Sequence, residues 1–117
     1  MTNNDDLLHI DSVVSDLRCQ IYLRGEADIF VVTELTAALD AIGIHPGQGI
    51  HVDVAELRFI DLSCLRALIR FASQAQQVGV AVQVERPNGI FKMMHRMIDP
   101  GVLHMTDARE ECRRSST

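Results

Sequence analysis

The stretch HVDVAELRFIDLSCLRALIR, His51 to Arg70, changes its period halfway along. On its first side, Ile50, Val52 and Val54 alternate with His51, Asp53 and Ala55, which is the period of a half-buried strand. On its second side, Leu65, Leu68, Ile69, Ala72 and Ala75 recur at helical spacing, and Gly79 closes the run. A strand therefore feeds a helix through Asp61, Leu62, Ser63 and Cys64.

The same change of period repeats on either side. Upstream, Leu7 to Val14 reads as a first strand. Cys19 to Gly25 reads as a second, with Cys19, Ile21 and Leu23 on one face and Gln20, Tyr22 and Arg24 on the other. Ser15 to Arg18 forms the hairpin loop. Leu35, Ala38, Leu39 and Ile42 make an amphipathic helix that stops at Gly43 and Pro46. Downstream, Val80 to Val84 is a short β-branched strand, and Asn88 is a candidate helix cap. Ile90, Phe91, Met94, Met97 and Ile98 predict a third helical stripe, closed by Asp99, Pro100 and Gly101. Val102 to Thr106 predicts a last short strand. Strand–helix–strand units favour parallel neighbours. The expected fold is α/β, a mixed sheet of four to five strands with helices packed mainly on one face. A single domain over residues 1–107 is expected, followed by a short polar tail over 108–117.

Composition narrows the function. The 117 residues carry 11 basic and 16 acidic side chains, a formal charge of −5. A general nucleic-acid binder would need a basic face for phosphates. Arg109, Arg113 and Arg114 share their tail with Glu110 and Glu111. No apolar run reaches the ~18 residues that span a bilayer. The opening MTNNDDLLHI lacks the basic and apolar regions of a signal peptide, so a cytoplasmic location is expected. Cys19, Cys64 and Cys112 are widely spaced and form no CxxC. His9, His45, His51, His95 and His104 show no ligand spacing, so neither a metal nor a cofactor is expected. Met93, Met94, Met97 and Met105 suit core packing or an adaptable contact surface.

The strand-to-helix turn holds the chemistry worth weighing. Cys64 and Arg70 satisfy the C-x5-R spacing of cysteine-dependent phosphatases. The intervening LRALI has no glycine and runs at helical period, so its N–H groups belong to a helix ladder and not to a phosphate cradle. No enzyme is expected. Cys64 reads as a small buried filler, or as a redox-tuned thiol if the helix start lowers its pKa. Asp61 and Ser63 are both preferred helix caps, and either fits that role. Ser63 also fits a phosphorylation site. The first helical turn offers free N–H groups and a positive dipole end, and Arg66 lies one turn on. A phosphate there adds roughly −1.5 to −2 charges and can abolish a contact without unfolding the domain.

Four segments in order resemble the STAS domain of bacterial anti-sigma factor antagonists. LRGEADIFVVTELTAAL is similar to the family's second strand, Gly-Glu-x-Asp turn and first helix. HVDVAELRFIDLSCLRALI is similar to the strand, the Asp-Ser-Ser-Gly turn and the second helix. GVAVQVERPN and MIDPGVLHMTD resemble the following strand and the closing segment. The resemblance spans Leu8 to Asp107. It implies partner switching: an ATP-binding anti-sigma factor serine kinase phosphorylates the antagonist, a PP2C-type phosphatase resets it, and the unphosphorylated form binds the kinase. On this resemblance Ser63 is the phosphoacceptor. Glu26, Asp28, Asp61, Leu62, Ser63, Cys64 and Arg66 form the partner-binding surface. Leu62 and Cys64 stand where the family has serine and glycine. Cys64 is expected to add bulk beside the hydroxyl, and Leu62 to make the turn more apolar. The alternatives are a STAS scaffold or transport-associated subunit that is not phosphorylated, and a binder tuned by Cys64 oxidation.

Overall fold

A computed structural model describes residues 7–98 and 101–106. Strand β1 (His9–Val14) and strand β2 (Arg18–Ala27) form an antiparallel hairpin, with Val14 opposite Cys19 and His9 opposite Arg24. A short 3₁₀ turn (Ile29–Val31) leads into helix α1 (Val32–Ile42). Strand β3 (Gly49–Ile60), helix α2 (Leu62–Gln77), strand β4 (Val82–Glu85), helix α3 (Gly89–Ile98) and strand β5 (Leu103–Thr106) complete the described chain. The sheet runs β1-β2-β3-β4-β5, with β2 to β5 mutually parallel. Each crossover advances one strand in the same direction. Right-handed crossovers then place all the helices on one face. The expected mixed α/β sheet with one helical layer is the observed architecture, and it has five strands.

One aliphatic core joins the layers. Ile21, Leu23, Val52, Val54, Val82 and Val84 of the sheet meet Leu35, Leu39, Leu65, Leu68 and Phe91 of the helices. Helix α1 stops at Gly43, whose φ of 77° suits glycine and whose N–H donates to the Leu39 carbonyl.

Several boundaries differ from the sequence reading. Strand β2 continues to Ala27 because Gly25 and Ala27 keep the buried parity. Leu7 makes only an isolated bridge to Glu26. Strict alternation in β3 fails after Val54. Pairing passes from Tyr22–Asp53 to Arg24–Glu56, then from Gly25–Leu57 to Glu26–Phe59, so β3 carries an extra residue at two places. At the first, Asp53 Oδ1 accepts the Ala55 N–H at 2.9 Å, satisfying an amide inside the irregularity. The shifts bring Leu57 and Ile60 back to the core. Helix α3 splits the predicted stripe. Phe91, Met94 and Ile98 face the core, while Ile90 and Met97 join Met93 on the exposed side. Asp99, Pro100, Asp107 and the 108–117 tail, with Cys112, lie outside the described residues.

The sheet's other face is polar, yet Gln20, Asp53 and Glu85 are buried there. Gln20 Nε2 donates to Glu85 Oε1 at 2.9 Å, Arg18 pairs with Glu85, and Arg86 pairs with Asp53. These partners compensate the buried carboxylates. Alternation puts Gln20 on the same face as the exposed Tyr22 and Arg24, and only its pairing with Glu85 distinguishes it.

Candidate functional site

Parallel pairing of β2 and β3 ends with Ala27 beside Ile60, which sets the two strand-to-helix junctions side by side. The Asp61 N–H donates to the Ala27 carbonyl at 2.9 Å, tying one junction to the other. The Cys64 thiol donates to the Asp28 carbonyl at 3.2 Å, a second tie. Asp28, Asp61, Ser63 and Cys64 are thus brought together from two loops that are far apart in sequence.

Asp61 is the N-cap of α2. Its Oδ1 accepts the Cys64 N–H at 2.9 Å and the Ser63 hydroxyl at 2.7 Å. The helix therefore begins at Leu62, earlier than the apolar stripe indicates, and Ser63 is a first-turn residue and not the cap. Ser63 is half-buried, with its hydroxyl held against a carboxylate. The helix start favours negative charge at this position. Arg66, one turn further, is exposed and forms no ion pair among the described residues. An Asp61→Ala chain is expected to lose about 1 kcal/mol of stability through the missing cap, measurable by chemical denaturation.

Cys64 differs from two expectations. Its side chain is 0% exposed, so the thiol is not part of an accessible partner surface. It turns inward to Asp28, so it adds no bulk on the solvent side of the Ser63 hydroxyl. Burial, followed by the Asp61 carboxylate, pushes its pKa up to about 12, the opposite of the lowered value a redox-tuned thiol needs. Residues 65–69 between Cys64 and Arg70 lie within the continuous helix α2.

The thiol's state has two measurable consequences. Iodoacetamide at pH 8 is expected to leave Cys64 intact in the folded chain and to alkylate it in denaturant, as read by peptide mass spectrometry. Its folded pKa lies above the ordinary 9.0, so its contribution to stability is complete below pH 9 and is lost as pH rises toward 12. The slope from this one proton is at most about 1.4 kcal/mol per pH unit. Buried Cys19, also raised by burial, acts in the same direction.

The remaining predicted residues divide. Asp28 caps the 3₁₀ turn, accepting the Phe30 N–H at 3.0 Å. Leu62 is 39% exposed at the start of α2 and so lies outside the core. Glu26 is paired in register with Phe59. Both have the parity opposite to buried Ala27 and Ile60, so they face away from the helices. Sequence reasoning missed Ile29 and Phe30, which are 62% and 86% exposed on the turn beside Asp28. The available signal was two large apolar residues just before the α1 stripe and outside its spacing. Among the described residues no group of His, Cys, Asp and Glu is arranged to hold a metal ion. No helix there is long and apolar enough to cross a membrane.

The family model described as "Mlab, STAS domain" matches residues 13–104, and the chain belongs to that family. Solved structures share the fold at low identity. A putative anti-sigma factor antagonist from Thermotoga maritima superposes with a TM-score of 0.72 at 12% identity, covering 92% of this chain and 95% of that one. The phosphorylated form of the Bacillus cell fate determinant SpoIIAA gives 0.66 at 16% identity, covering 93% and 99%. The murine anion transporter Slc26a9 gives 0.60 at 12% identity, over 69% of this chain and 14% of the transporter. No curated protein sequence matches the chain significantly.

Proposed function

We propose that this chain is an anti-sigma factor antagonist that switches partners through Ser63. The observation that carries the reading is the placement of the Ser63 hydroxyl: half-buried in the first turn of α2, bonded to Asp61, and neighboured in sequence by the exposed Leu62. Similarity of fold to SpoIIAA, solved in a phosphorylated form, supports the same reading. The form with a neutral Ser63 hydroxyl docks on an ATP-binding anti-sigma factor kinase in the cytoplasm. The kinase joins Ser63 Oγ to the γ-phosphorus of ATP as the bond from that phosphorus to ADP breaks and the hydroxyl proton is released. The helix start and Arg66 then offset the new charge within the domain, while the partner faces a dianion. A PP2C-type phosphatase restores the hydroxyl. The chain acts as substrate and binder and catalyses no reaction itself.

The test is incubation of the full chain with an anti-sigma factor kinase and Mg-ATP, followed by tandem mass spectrometry. A single phosphate on Ser63 is expected. Phosphate on another residue, or none, overturns the switch.

A second reading, a STAS subunit of a larger assembly without phosphorylation, has a specific observation behind it. Asp61 Oδ1 lies 2.7 Å from Ser63 Oγ, so a carboxylate opposes any phosphate placed there. The likeness to the transporter's STAS region points the same way. That reading requires Ser63→Ala and Ser63→Glu to bind the partner equally.

A further inference from the structure

Strand β1 is an edge strand: it pairs with β2, and no described residue pairs with its other side. Edge strands are commonly blunted by charged side chains, proline or a bulge. His9 to Val14 carries no proline and no bulge, its pairing with β2 is unbroken, and Asp11 is its only acidic side chain. From Asp11 onward every residue is exposed, and Val13 and Val14 remain 63% and 54% exposed although they point to opposite faces. The β2 residues opposite, Cys19, Gln20 and Ile21, are buried, so the exposure belongs to the β1 edge itself.

The hydrogen-bond phase of this edge follows from the hairpin. The Ser15 N–H donates to the Arg18 carbonyl at 2.8 Å, so Ser15 faces β2. Alternation along an antiparallel ladder then turns the backbone groups of Asp11 and Val13 toward β2, and those of Ile10, Ser12 and Val14 outward. The side chains of Ile10, Ser12 and Val14 share the helix-side parity, opposite Leu23, Ile21 and Cys19.

We propose that β1 is the docking edge for a second copy of this chain, paired antiparallel about a two-fold axis through Ser12. The occupant follows from self-complementarity. In this register Ser12 faces Ser12 of the second copy and Ile10 faces its Val14, so every outward backbone group from Ile10 to Val14 is engaged. The cross-strand contact is Ile10 on Val14, repeated by symmetry, an apolar pairing that covers an exposed valine. Asp11 lies opposite Val13. The register centred on Asp11 sets two carboxylates face to face, a destabilising pair. The register centred on Val13 leaves Ile10 without its valine. The two sheets become one continuous sheet with the helices on a common face, and the Ser63 turn lies at the far ends of β2 and β3, away from the Ser12 axis.

Sedimentation velocity of the full chain carrying Cys112→Ser tests the pairing. The dimer fraction is expected to rise with concentration. Ser12→Pro removes an outward N–H that β2 does not use, so it is expected to keep the fold and weaken dimerisation roughly tenfold or more. Ser12→Cys is expected to give a disulfide-linked dimer on mild oxidation, since directly paired Cα atoms lie about 5.5 Å apart. If Ser12→Pro lowers the melting temperature, the Ser12→Cys result decides alone. A monomer at every concentration, an undiminished dimer in a folded Ser12→Pro chain, or faster cross-linking through Asp11→Cys or Val13→Cys overturns the proposal.

Discussion

A Phe91→Ala chain is expected to lose about 3–5 kcal/mol of folding stability, the usual cost of truncating a fully buried aromatic ring. Phe91 is 1% exposed and is the one fully buried residue of α3. Its backbone N–H is also fixed, donating to Asn88 Oδ1 at 2.8 Å in the helix cap. The helix is short and leans on the sheet through this ring, with Met94 and Ile98 only partly buried beside it. Without the ring, α3 retains little to hold it between β4 and β5. In urea, with a slope of about 1.5 kcal/mol per molar, the midpoint is expected to fall by about 2–3 M. Met97→Ala, on the exposed side of the same helix, is expected to stay within about 0.5 kcal/mol. A loss below about 1 kcal/mol for Phe91→Ala would mean that α3 does not seat as described.

That contrast between Phe91 and Met97 marks what a sequence pattern can resolve. Apolar period distinguishes strand from helix because 2 and 3.6 residues per repeat select different sets of positions. It therefore yielded the order of elements, while the single helical layer was expected from the shortness of the chain. It merged two stripes of α3, since Ile90, Met93 and Met97 recur at the same helical spacings as Phe91, Met94 and Ile98. Period also presumes an unbroken ladder, and the irregularities in β3 shift parity without any apolar residue announcing them. The site was legible in part. Asp61 and Ser63 stood out as small polar residues at a change of period, but which of them caps α2 depended on the direction of a hydrogen bond. For Cys64 the helical period left two readings, a buried filler at the edge of the stripe and a thiol on the docking surface, and the structure has it fully buried. Its burial comes from the β2–α1 junction packing over it, a contact across 36 residues of sequence. The buried Gln20–Glu85 pair was invisible for the same reason, its partners lying 65 positions apart.

Ser63→Glu is expected to weaken binding to an anti-sigma factor kinase by about 2–4 kcal/mol, roughly 30- to 900-fold, while Ser63→Ala binds within about threefold of the parent chain. The asymmetry follows from the site. In the parent chain the hydroxyl donates to Asp61 Oδ1, which also receives the Cys64 N–H. Alanine removes one hydrogen bond at a half-buried carboxylate that keeps its cap contact. Glutamate replaces a donor with an anion next to Asp61, with Asp28 on the neighbouring junction, so the local charge on the docking face becomes more negative without a compensating donor from the partner. The fold itself should tolerate the change, because acidic side chains are favoured in the first turn of a helix. Thermal melts of the variants within a few degrees of the parent would separate loss of docking from loss of structure. Adding Asp61→Asn to Ser63→Glu supplies the decisive arm. If repulsion between the two carboxylates and the partner is the cause, removing one charge is expected to restore a measurable part of the affinity, and isothermal titration calorimetry reads it directly. Equal binding by Ser63→Ala and Ser63→Glu would leave the turn as a structural cap and favour the unphosphorylated-subunit reading.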